Sequence, residues 1–263
     1  MGQPIVTVVA LYGPKVGDLR DLLQSVQVTL TRKLGTAFLP YSLEQVHGTL
    51  VRLDGFLDPA SGALLNQRYL EQQGARRAMD LGQVMHLLER HLSPPLSIRI
   101  GGFGPADEVT FTSQGKHPYE RTFSARGGAF VLIGWPVTAV RPDGGRKPLD
   151  DLRRSMSDAN VLHFYHATAT DVDDDFHLVI GHYADPADEA LAESVRMVRR
   201  DLERCRVDLQ IGLDQVRIVA SDSPALTPAR FIGKLPVAAS ELASLYGESP
   251  ALPAANKDAR FRF

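Results

Sequence analysis

Two short apolar runs constrain this chain more than anything else in it. Val46-His47-Gly48-Thr49-Leu50-Val51 and Phe176-His177-Leu178-Val179-Ile180-Gly181 both read as strands interrupted by one imidazole. Each is followed, after a turn, by a helical stretch and then a further strand. Such an internal echo predicts two similar lobes that face one another across a central cleft.

The rest of the chain fits around these runs. Ile5 to Tyr12 is rich in β-branched residues and closes on Gly13-Pro14, which predicts a strand. Val16 to Leu34 has apolar residues at helical spacing and stops before Gly35. Gln45 to Leu53 is the first histidine strand. Leu64 to Leu92 reads as helix in two pieces, ended by Pro94-Pro95. Leu96 to Ile100 and Ala129 to Gly134 read as strands, with a loop or weak hairpin over 106–120 and a turn at Gly101-Gly102-Phe103-Gly104. Pro148 to Met156 is a short helix with proline in its first turn. Val161 to Thr170 and Phe176 to Tyr183 read as two strands joined by the acidic connector Asp171-Val172-Asp173-Asp174-Asp175, taken as a solvated turn. Asp185-Pro186 opens a helix carrying Leu191, Val195, Val198 and Leu202, and Val207 to Ala220 is a closing strand or pair of strands. The expected class is α+β, with mostly antiparallel sheets lining the cleft and helices outside. Residues 1–221 form the bilobal domain. Residues 222–263 form an extension with a helical patch near Ala238 to Tyr246 and a loosely held end from Ser249.

Composition bounds the function. Of 263 residues, 44% are hydrophobic and 23% charged, enough for a sizeable core. A formal net charge of -2 argues against a long nucleic-acid footprint, because phosphate neutralisation needs a basic excess. Cys205 is the single cysteine, so an internal disulfide is impossible and a reducing, cytoplasmic compartment is expected. The apolar opening as far as Leu11 is too short for a signal peptide or a membrane span. Gly2 suggests myristoylation, but Val6 stands where Ser or Thr is required.

The chemistry rests on the two histidines. Residues two apart on a strand share a face, so His47 lies beside Thr49, and His177 beside Val179 and Gly181. Imidazole titrates near pH 6.5, so a pair can supply a general base and a general acid. Thr49 can donate to a phosphoryl oxygen; Val179 has nearly the same shape but no hydroxyl.

On these segments the chain resembles the 2H phosphoesterase superfamily, which includes 2'-5' RNA ligase-like proteins and cyclic phosphodiesterases and carries two His-x-Thr/Ser motifs on strands of a two-lobed fold. His47-Gly48-Thr49-Leu50 fits the first motif in full; His177-Leu178-Val179-Ile180 fits the second only at histidine and in apolar character. The order of elements agrees over roughly residues 5–221. The resemblance implies attack on a 2',3'-cyclic or 2'-5'-linked phosphodiester of a small nucleotide or short RNA end. It implies no metal or other cofactor, His47 and His177 as the proton-transfer pair in either order, and Thr49 on the phosphate. Val179 would contribute only contact or its backbone.

Two alternatives stay open. Tyr165-His166-Ala167-Thr168 is an intact His-x-Thr on the preceding run and makes His166 and Thr168 the second choice for the other motif. The missing hydroxyl at Val179 also fits a binding module on the same fold that captures a nucleotide or RNA end without turnover. The remaining histidines read as structural or surface residues. His163, His166 and the aspartates of 171–175 do not make a metal site, because strand positions three apart face opposite sides. Arg230-Phe231-Ile232-Gly233-Lys234 is a surface segment that can touch an anion.

Overall fold

The computed structural model describes residues 4–137, 147–163, 165, 166, 168, 170–184 and 187–246. Its elements run β1 (Ile5–Ala10), α1 (Gly17–Leu34), β2 (Phe38–Pro40), β3 (Gly48–Arg52), β4 (Gly55–Leu57), β5 (Leu64–Asn66), α2 (Gln67–Gln73), α3 (Leu81–Leu92) and β6 (Leu96–Gly101). They continue with α4 (Pro118–Arg121), β7 (Phe123–Arg126), β8 (Ala129–Pro136), α5 (Pro148–Ser155), β9 (Phe176–Tyr183), α6 (Asp188–Glu203), β10 (Arg206–Ile211), β11 (Val216–Ser221), β12 (Ala229–Lys234) and α7 (Ala239–Ser244). This is a mixed helix and sheet protein, and every strand pair among the described residues is antiparallel.

One ten-stranded sheet dominates, in the order β10-β6-β8-β9-β3-β1-β11-β12, with β2 on β9 and β7 on β8. The two histidine strands, far apart in sequence, are neighbours at its centre. Their junction is narrow: Gly48 opposite Leu178 is its single registered pair, whereas β8 and β9 share six. Gly48 is required there. A β-carbon at this position would lie 2.1 Å from Cζ of Phe176, whose ring crosses beneath the junction.

Alternation along the strands divides the sheet into two faces. Val6, Val8, Leu50, Phe176, Leu178, Phe130, Leu132, Ile98, Ile218 and their neighbours point into the main core. That core is closed by the apolar sides of the helices: Leu19, Leu22, Leu23, Val26 and Leu30 of α1, Val84, Leu87 and Leu88 of α3, and Val198 and Leu202 of α6. Burial at this scale, about 25 cal/mol per Å² of apolar surface, is what orders the sheet. The opposite face carries two smaller apolar clusters. One contains Phe103, Val131, Ile133 and Trp135 with Val179 at its margin. The other contains Val9, Val219 and Leu226 with Tyr12 at its margin. His47, Thr49 and His177 occupy the strip between them.

Several sequence expectations need correction. Val161 to Thr170 is not a strand: its described residues are loop and turn. The acidic connector is no solvated hairpin turn, since Asp173 and Asp175 are only 5% and 4% exposed. The physical reason is side-chain anchoring. His163 Nε2 donates to Asp173 at 2.9 Å, His166 Nε2 donates to Asp150 at 2.7 Å, and the Asp173 amide donates to Asp150 at 2.7 Å. These bonds do the work of a strand ladder. In the stretch read as two helices, Leu64–Asn66 is strand and helix begins at Gln67. Within and beyond the expected loop lie α4 and β7, neither foreseen. The sheet also continues past residue 221, because β12 pairs with β11, and Tyr246 donates from its hydroxyl to the Leu53 carbonyl at 2.7 Å. Gly2, the helix opening at Asp185-Pro186 and the segment from Ser249 lie outside the described residues. No helix among the described residues is long and apolar enough to cross a membrane.

Candidate active site

The antiparallel register at Gly48 and Leu178 fixes which residues meet. Continued by one residue each way, it sets Thr49 against His177 and His47 against Val179. His47 and His177 are then diagonal neighbours on one face, and such pairs stand roughly 7–8 Å apart between Cα atoms. All three polar residues of the strip are half-buried rather than sealed.

His47 sits one residue before β3, at the end of the Leu43–Gln45 turn. Its Nδ1 lies 2.7 Å from the Gln45 carbonyl. A carbonyl can only accept, so Nδ1 carries the proton and Nε2 keeps its lone pair. The Tyr12 ring lies 5.9 Å away and tilted, and the Tyr12 hydroxyl donates to the Leu226 carbonyl at 3.0 Å. Gln45 donates from its side-chain amide to Ala225 O at 3.1 Å. The segment after β11 therefore forms the wall beside His47. Burial holds the His47 pKa below the ordinary imidazole value, opposed by the Gln45 bond and reinforced by nearby Lys15. Lys15 itself donates to the Gly13 carbonyl at 2.6 Å, and burial pushes its ammonium down to about 8.

His177 has the opposite electrostatic setting. Its side chain is 30% exposed, and its Nε2 lies 3.8 Å from Oδ2 of Asp175. Its pKa is lowered by burial, with Asp173 and Asp175 pulling it up and Arg153 and Arg121 pushing it down. Both carboxylates are rigidly held. Asp175 accepts from Trp135 Nε1 at 2.7 Å, Arg121 Nη2 at 2.8 Å and Ser113 Oγ at 2.8 Å. Asp173 pairs with Arg153 at 2.9 Å, and this Arg153 also donates to the carbonyls of Leu50 and Thr49 at 3.1 and 3.0 Å. Arg153 thus ties the segment before His177 to the strand that follows His47. The Asp173 carboxyl lies well under the usual carboxylate value: burial pushes it up, but Arg153 and the hydrogen bond from His163 pull it down further.

The structure separates the sequence candidates. His47, Thr49, His177 and Val179 come together on one strip. Val179 is half-buried against the cluster of Val131 and Trp135, so no side-chain hydroxyl arises there. His166 is buried and bound to Asp150, while Thr168 is exposed and its hydroxyl lies 3.1 Å from that of Thr170. That pair is split, its imidazole turned into the support behind the strip. His163 is likewise buried, and burial holds its pKa down to about 4. Among the described residues, no group of three or more histidine, cysteine or acidic side chains is arranged to hold a metal ion. The residues that sequence reasoning missed are Tyr12, Lys15, Arg153, Asp173 and Asp175. Only the aspartates carried a signal, in their spacing of two and four residues before His177.

No protein-family model and no curated protein matches the chain. Among solved structures it is similar to the conserved protein of unknown function ATU0111 from Agrobacterium tumefaciens str. C58. That likeness is at 14% identity and a TM-score of 0.43, over 89% of this chain and 85% of that one. At that level the likeness carries no argument about activity.

Proposed function

We propose that this protein is a phosphodiesterase of the 2H type, acting on a 2',3'-cyclic or 2'-5'-linked phosphate of a small nucleotide or short RNA end. In this reading the two halves of the single sheet, joined at β3 and β9, take the part of the two lobes. The observation that supports the reading is the pairing of β3 with β9 at Gly48 and Leu178, which brings the segments of His47 and His177 side by side.

The electrostatic settings assign the roles. His47, with Nδ1–H committed to Gln45 and a cation nearby, is the neutral imidazole and serves as general base. His177, with Asp175 Oδ2 3.8 Å from its Nε2, has carboxylates beside it that favour its protonated form against the effect of burial, and it serves as general acid. On a cyclic substrate, His47 Nε2 takes a proton from water as the water oxygen bonds to phosphorus. The P–O bond to one ribose oxygen breaks, and His177 gives its proton to that oxygen, leaving a phosphomonoester. On a 2'-5' linkage the neighbouring 3'-hydroxyl replaces water as the nucleophile. Thr49 donates to a non-bridging oxygen. Positioned acid–base groups of this kind contribute roughly 10²- to 10⁴-fold each.

Val179 favours a second reading, capture without turnover, because its methyl group stands where the second hydroxyl belongs. Incubation with 2',3'-cyclic nucleotides and 2'-5' dinucleotides in the presence of EDTA separates the two. Phosphomonoester or cyclic product supports the enzyme; saturable binding with no product supports the capture module.

A further inference from the structure

A second histidine of β9, His182, lies on the same face of the sheet as His177. Their spacing of five residues would put them on opposite faces of a regular strand. A bulge at Ile180 restores the face: Phe130 pairs with Gly181 and Val131 with Val179, leaving Ile180 over. Ile133, Val131 and Ala129 of β8, all in one apolar cluster opposite the main core, therefore pair with His177, Val179 and His182 in turn. On the far side β2 extends the row, with Leu39 opposite His182. A β-carbon at Gly181 would lie 2.5 Å from the Leu39 carbonyl oxygen, so glycine lets β2 close on β9 there. Leu39 is 56% exposed, and His182 is exposed beside it.

The His182 ring is held by its edge. Its Nδ1 lies 3.1 Å from the Gly128 carbonyl, which can only accept, so Nδ1 carries a proton. Its Nε2 lies 2.7 Å from the Tyr41 hydroxyl, which donates to it in the neutral ring. Ring nitrogens bond in the plane of the imidazole, so these two contacts fix its orientation without using its faces. A single exposed leucine is ordinary on any surface. Here it adjoins an oriented, exposed ring on the face that carries His177.

We infer that His182 and Leu39 form the surface on which the substrate's nucleobase stacks. The inference rests on the phosphodiesterase reading for the place of the phosphate and names what lies beyond it. Val179 and His182 are three residues apart, about 10 Å along the strand, which a nucleotide bound in extended form can span. With both nitrogens committed, His182 has no donor or acceptor left to read a base edge. Stacking alone tolerates any base, because every base has a π-face. The substrate class is thus a nucleotide of unrestricted base identity, with purine and pyrimidine both accepted.

The test is titration calorimetry with adenosine 3'-monophosphate, uridine 3'-monophosphate and ribose 5-phosphate, which has sugar and phosphate but no base. The parent is compared with His182→Ala and His182→Phe, and thermal unfolding verifies that each is folded. The parent is expected to bind both nucleotides more tightly than ribose 5-phosphate. His182→Ala loses about 5- to 150-fold in nucleotide affinity, the range for one base stacked on an aromatic ring, and leaves ribose 5-phosphate unaffected. His182→Phe keeps a flat ring without its hydrogen bonds and retains the preference, which a merely structural histidine would not. Turnover of a 2',3'-cyclic nucleotide, measured alongside, separates the two readings: base-dependent binding without turnover contradicts the enzyme and supports the stacking surface. Equal affinity of the parent for all three ligands, no saturable binding at millimolar nucleotide, parental nucleotide affinity in His182→Ala, or equal losses in the Ala and Phe variants overturns the inference.

Discussion

Gly48 lies against the ring of Phe176 so closely that a β-carbon would come within 2.1 Å of it. Among the described residues, this contact sits under the one registered pair joining the two halves of the sheet. It explains why the residue between His47 and Thr49 is glycine, and it makes the junction sensitive to one methyl group. Gly48→Ala is expected to destabilise the protein by about 1–3 kcal/mol, the usual range for overpacking. Urea unfolding measures it, and a parental midpoint would show that the halves are not locked there.

Arg153 and Asp173 form a buried ion pair that supports the strip. Removing one partner of such a pair costs about 3–5 kcal/mol, because the other charge is left uncompensated. Arg153→Ala is therefore expected to unfold at much lower urea concentration than the parent. The Asp173 carboxyl is held below its ordinary value in the fold. Its contribution is accordingly present above the ordinary aspartate range and is lost as the pH falls through the depressed native value. Acid unfolding of the parent, absent that dependence in the Arg153 variant, checks the sign.

Asp174 behaves in the opposite way. It accepts from the amides of Leu149 and Asp150 at the start of α5, yet burial pushes its carboxyl up to about 7. The folded protein then binds this proton more tightly than the unfolded chain. Stability from the group is complete below the ordinary value of 3.8 and declines as the pH rises to about 7. Asp174→Asn keeps an accepting oxygen and removes the titration. The variant is expected to gain on the parent steadily between pH 4 and 7, read by thermal unfolding; a constant difference across that window contradicts the assignment.

Val179→Thr restores the absent hydroxyl at nearly unchanged volume. A hydrogen bond to a charged phosphoryl oxygen, formed in the transition state, contributes about 1.5–3 kcal/mol, or roughly 10- to 150-fold in rate. The substitution is expected to raise turnover of a cyclic nucleotide by about tenfold or more. An unchanged rate would mean that another donor already fills the place.

The residues of the proposed site are legible in the chain because they lie in short local patterns. His47 with Thr49, and His177 with its apolar strand, are readable from spacing of two. The register that sets one against the other is not, since no local signal records which distant strands pair. Val161 to Thr170 was misread for a related reason. Its alternation suits a strand, but His163 and His166 satisfy buried aspartates instead of facing a ladder. Strand β7 has only four residues, too few for a periodic signal. Lys15 owes its lowered pKa to burial by residues remote in sequence, and nothing in Gly13-Pro14-Lys15 announces it.

The central claim is that His47 and His177 act on one phosphorus atom, as base and acid of a single step. Turnover of a 2',3'-cyclic nucleotide by His47→Ala, His177→Ala and the double variant tests it most directly. Groups that act as a unit are far from additive. Each single substitution is expected to cost about 10²- to 10⁴-fold, and the double variant scarcely more than the worse single. Parental turnover in either single variant, or losses that multiply in the double, would contradict the account.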